Sequence, residues 1–129
     1  MSTLAQLRRP LLDLHKTLVD AEREDYERTR GRMSDGDFLK ALIDEPAFAW
    51  LGALTALIVR LEEFESPDLP KEYVAEIRRL LKPDAAGSPF QRKYGDLLQR
   101  RPEALVAHGA VMRALAGTSF AEGRGRRQS

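Results

Sequence analysis

From Leu4 to Leu115 the apolar residues recur at spacings of three and four, and nowhere do they alternate with polar ones. A period near 3.6 lays one apolar stripe along a helix, whereas a half-buried strand needs a period of two. The expected fold is therefore all-α: a single-domain helical bundle of about five or six helices. At 129 residues the chain can bury one hydrophobic core but not two. Its 43% hydrophobic and 32% charged content belongs to a globular helical domain and not to a disordered segment.

Capping chemistry divides the stripes into elements. The first helix is expected from Pro10 to about Thr29, closed by Gly31, with a capping-box pair at Thr3 and Gln6 pointing to a short leading turn before a kink. Ser34 is placed to cap a short helix carrying Phe38, Leu39, Leu42 and Ile43, and Asp44 to cap the next. That third helix, Glu45 to about Phe64, is apolar nearly all round and is expected to be the central, most buried one. Ala49, Gly52, Ala53 and Ala56 form a small-residue strip along it, suited to close approach by another helix or by a second subunit. A short helix bears Tyr73, Val74, Ile77, Leu80 and Leu81, and Ser88-Pro89 with Gln91 opens the final helical region. There the stripe keeps its phase across Pro102, as one kinked helix or two stacked ones ending at Gly117. Residues 1–117 thus make the bundle, and 118–129 a flexible basic tail.

Composition removes several classes of function. Without cysteine there is no disulfide, thiolate nucleophile or cysteine-ligated metal, and a reducing cytoplasm is the expected home. Arg8, Arg9 and Pro10 precede a stretch broken by Asp13, His15 and Lys16, which does not read as an export signal. The longest apolar stretch, Ala47 to Val59, falls short of the ~18–20 residues that cross a bilayer, so no membrane partner is expected. Net charge is +1, yet 9 Lys and Arg face 14 Asp and Glu through Asp68, against 12 and 6 beyond it. Solvated faces of mixed sign explain this, and so would a dipolar surface that orients a partner.

Two residues break the apolar pattern, and they are the only histidines: His15 lies mid-stripe on the first helix and His108 mid-stripe on the last. Both are expected to face inward, where modest burial moves an imidazole across neutrality. Glu22 follows on the same face as His15, and Tyr26 one turn further. A polar pocket of His15, Glu22, Tyr26 and His108 is therefore the candidate site, weighed against two separately satisfied core histidines. Neither catalytic, cofactor-binding nor metal residues are assigned, because Glu-x-x-His pairs, His-Glu-x-x-His, phosphate loops and nucleophile elbows are all missing. Asp13, Asp20, Glu24, Asp25 and Glu27 spread around their helix and read as a solvated face. The arginines of Gly123-Arg124-Gly125-Arg126-Arg127 attract phosphate, but no basic recognition helix or stacking aromatics accompany them, which argues against nucleic acid.

The Leu14-His15 pair, Tyr26-Glu27, Phe48 with Trp50, and Pro102 before His108 together resemble a family of small uncharacterised bacterial helical proteins. The resemblance implies a bacterial cytoplasmic protein and transfers no activity. The expected function is a non-enzymatic protein-interaction or regulatory module, homo-oligomeric, whose surface and small-residue strip recognise a protein partner or a second copy. The alternative is a small-molecule or metal-binding protein using His15 and His108.

Overall fold

The computed structural model describes the backbone of residues 3–127 and the side chains of residues 4–116. Within these bounds there are six α-helices, α1 (Thr3–Arg30), α2 (Asp35–Asp44), α3 (Gly52–Glu63), α4 (Lys71–Leu80), α5 (Pro89–Arg100) and α6 (Pro102–Arg127), with a 3-10 turn over Pro46–Leu51. No strand occurs among the described residues, and the chain is an all-α bundle.

No separate leading turn precedes Pro10, and α1 runs through it. An interior proline costs about 3 kcal/mol. Leu7, Leu11, Leu14 and Leu18 are each completely covered, and every such leucine returns about 1.5–3 kcal/mol, so burial outweighs the break. At the far end Gly31 takes φ +89°, the left-handed conformation that stops a helix. Arg23 secures the following turn: it donates to Met33 O at 2.7 Å and Glu27 Oε2 at 2.9 Å, and it lies over the Phe38 ring.

Ser34 caps α2 as expected, its Oγ accepting from Asp37 N. Asp44, however, does not cap the next element. Pro46 holds Glu45 in extended backbone (φ −84°, ψ 129°), so the start falls one residue later and without a side-chain cap. The first turn is then 3-10, which brings Phe48 and Leu51 onto one side, and both are buried. The backbone continues into α3 without a break, and Pro46–Glu63 turns 79° away from α2.

The third helix is buried on one side only. Leu54, Leu57, Ile58 and Leu61 of α3 are buried, but Gly52, Ala53, Thr55, Ala56 and Val59 on its other side are exposed. The long α1 packs along both α3 and α6. An apolar helix can keep one face outside when that face is made of small side chains, since little area is left in water.

The chain breaks at Pro102: α5 and α6 are two helices joined by Arg101 in extended backbone. Ser88 and Gln91 form the reciprocal capping box that opens α5. Arg101 docks the joint on α1, donating to Asp25 Oδ1 at 2.8 Å and also to Glu24 and Ala21 O. Part of the acidic face is therefore a clamp and not a solvated surface. On the opposite side Tyr73 Oη donates to Leu57 O at 2.7 Å, and Arg78 to Leu115 O at 2.9 Å, tying α4 to α3 and α6. The tail expected over 118–129 lies outside the residues whose side chains are described.

Candidate functional site

The stripe of α1 that carries His15 continues to Val19 and faces the Pro46–Leu51 turn and α3. With α2 these elements enclose a groove of about 500 Å³ whose wall includes His15, Leu42, Ile43, Phe48, Gly52 and Ala56. His15 is half-buried there. Its Nε2 stands 2.9 Å from Thr55 Oγ1, and that hydroxyl hydrogen-bonds Leu51 O at 3.2 Å, one turn back on its own helix. With the hydroxyl proton so used, Oγ1 accepts from His15 Nε2–H. Burial lowers the imidazole pKa, which keeps the ring neutral.

Glu22 and Tyr26 do not line that groove, and neither does His108. Glu22 Oε2 accepts from Trp50 Nε1 at 2.7 Å. Tyr26 packs on Phe48 with ring centroids 5.0 Å apart, and its hydroxyl accepts from Arg30. His108 Nδ1 lies 2.6 Å from Tyr94 Oη. Burial raises the Tyr94 phenol and lowers His108, so both stay neutral, and the phenol donates to an Nδ1 whose ring proton sits on Nε2. The four sequence-selected residues thus make four different local partnerships instead of one pocket.

A row of rings connects two of them: Trp50 meets Phe90 at 5.3 Å, Phe90 stacks on Tyr94 at 5.2 Å, and Tyr94 meets His108 at 5.5 Å. These are ordinary aromatic packing distances and fix the α5–α6 corner against the 3-10 turn.

No family model matches this chain. No curated protein and no solved structure matches it either. What the site can do must be argued from its geometry.

A hydroxyl 2.9 Å from an imidazole invites comparison with a nucleophile and its base. The setting argues against it. Thr55 stands inside the continuous helical run Pro46–Glu63, where its own hydroxyl back-bonds to Leu51 O and the backbone N–H groups around it serve the helix and not an oxyanion. Among the described residues no three His, Cys, Asp or Glu side chains gather as metal ligands. Nor is any single described helix long and apolar enough to cross a membrane.

What the groove does offer is apolar surface left open. Ile43 is 75% exposed, Leu39 57% and Val59 53%, and they flank the small residues of α3. A methyl group added at Gly52 would meet nothing within 4 Å. The hydrophobic periodicity could not announce this face, because exposure is decided by which side of α3 receives α1. Its signal in the sequence is the size of the side chains, small along one strip and bulky along the other.

Proposed function

We propose that this chain is a non-enzymatic interaction module that pairs with a second copy of itself through the α2–α3 face. The observation that carries this is the coexistence, on one surface, of protruding apolar side chains and an apolar recess. Leu39, Ile43 and Val59 project, while Ala49, Gly52 and Ala56 floor a groove of about 500 Å³. A two-fold interface must be self-complementary, and a surface with both knobs and holes satisfies that requirement with itself. Contiguous exposed apolar surface of this kind marks an interaction site. A stable pair would cover about 800 Å² per partner, roughly the reach of two short helices.

The lack of native cysteine provides a clean test. A short bis-maleimide should join chains carrying Ala53→Cys on the exposed strip, and should fail on chains carrying Glu72→Cys on α4. Equal yields at the two positions would reject the pairing.

One observation favours a second reading: His15 and Thr55, hydrogen-bonded to each other, both line the otherwise apolar groove. A small apolar ligand with a single hydrogen-bonding group suits that lining. Stabilisation of the chain by such a ligand, lost in His15→Leu, would support this reading over self-pairing.

A further inference from the structure

The Pro46–Leu51 turn has a second hollow. Between it and the first turns of α5 lies an open cleft of about 540 Å³, lined by Pro46, Trp50, Pro89, Arg92, Lys93 and Asp96 among others. Its floor is apolar and rigid: two prolines, alanine side chains and the surface of the Trp50 ring, whose N–H is already given to Glu22. Its charge is positive on balance, with two cations against one carboxylate. Asp96 is engaged by Arg100 at 2.9 Å. Arg92 spends one N–H on Gly87 O at 3.1 Å and keeps the rest of its guanidinium. No described carboxylate pairs with Arg92 or Lys93. The positive end of the α5 dipole adds to this field, although Pro89 has no N–H and Gln91 N is taken by Ser88, so the side chains must supply the direct contacts.

An apolar cleft of this size with Arg92 and Lys93 among its lining residues matches a particular kind of guest. We infer that the cleft binds a small organic anion whose flat apolar body lies against Trp50 and the two prolines and whose carboxylate, sulfonate or phosphate is held by Arg92 and Lys93. Self-pairing uses the other hollow of the turn, and the two linings share only Ala49.

The chain contains one tryptophan, and it lines this cleft, so its emission reports on occupancy. The probe is anilinonaphthalene sulfonate, titrated into the full chain at low and high salt, with neutral N-phenylnaphthylamine as the uncharged counterpart. The anion should quench Trp50, bind more weakly as salt rises, and lose about fivefold in affinity in the Arg92→Gln/Lys93→Gln variant while the neutral probe is unaffected. Ala47→Glu, which sets a carboxylate at the lining, should weaken it too, whereas Ile43→Glu on the other face should not. Unchanged Trp50 emission, salt-independent binding or full affinity in the double variant would overturn the assignment. If circular dichroism shows the double variant unfolded, Ala47→Glu and the salt series on the unaltered chain decide.

Discussion

Along α1, Leu7, Leu11, Leu14 and Leu18 have no exposed surface, whereas Leu39, Ile43 and Val59 of α2 and α3 keep more than half of theirs. All seven are branched aliphatic side chains, and their surroundings differ. The α1 stripe is covered by α3 on one side and α6 on the other. Among the described residues no helix lies upon the outer face of α2 and α3. An apolar stripe therefore states that a face wants to be buried, and leaves open whether the burying surface comes from the same chain.

If the contrast holds, mutations on the two regions should separate sharply. Leu11→Ala or Leu14→Ala should cost about 2–5 kcal/mol in urea unfolding, through lost transfer energy and the cavity left behind. Leu54→Ala and Leu57→Ala belong to the same class, because they lie on the inner side of α3. Val59→Ala, read at low protein concentration, should stay within about 0.5 kcal/mol. A Val59 loss comparable to that of Leu11 would erase the distinction.

The Arg101 clamp comes next in size. Arg101 is 13% exposed and Asp25 22%, so Arg101→Met should cost about 1–2 kcal/mol, held down by the exposed Glu24. Burial alone would raise the Asp25 carboxyl, but the Arg101 hydrogen bond and the charges of Arg101, Arg100 and Arg28 outweigh it and the pKa falls. The clamp's stability is therefore present above the unfolded value of 3.8 and is lost as pH drops through the folded one. The histidines act earlier. Both folded pKa values lie below 6.5 through burial, so their contribution is complete above that pH and declines as pH falls through the lowered values. His15→Gln and His108→Asn should each lower stability and should add within about 0.5 kcal/mol in the double mutant, as their partners are Thr55 and Tyr94. Coupling well above that would place the two rings in one unit.

The smallest effect is the most selective. Gly52 has helical backbone and room for a methyl group. Gly52→Ala should therefore stabilise the monomer by about 0.5–1 kcal/mol while weakening the pair that the open strip admits. A gain in both would mean that nothing approaches Gly52 closely.

What was legible in the sequence follows from how local each feature is. Gly31, Ser34 and the Ser88–Gln91 box could be read because each depends on a few neighbouring backbone groups. Pro10 and Asp44 misled for the complementary reason. Covered leucines from elsewhere in the fold outweighed the first, and Pro46 displaced the role of the second. The bundle could be inferred, but not that one face of α3 stays open, since small and large apolar residues count alike in a periodicity. For the candidate site, half-burial of His15 and His108 was foreseeable from their stripes. Their partners were not: Thr55 and Tyr94 come from other helices, and Arg101, in the α5–α6 joint, meets Asp25 across 76 positions. Pairing at that separation is a property of packing, and no local pattern encodes it.

Self-pairing through the α2–α3 face is tested most directly by sedimentation velocity on the unaltered chain and on Ile43→Glu across a wide concentration range. Ile43 is 75% exposed, so the substitution leaves the monomer's core untouched. The unaltered chain should shift from monomer to dimer as concentration rises, with Ile43→Glu remaining monomeric and fully helical. A chain that stays monomeric at every concentration, or an Ile43→Glu variant that dimerises equally well, would contradict the account.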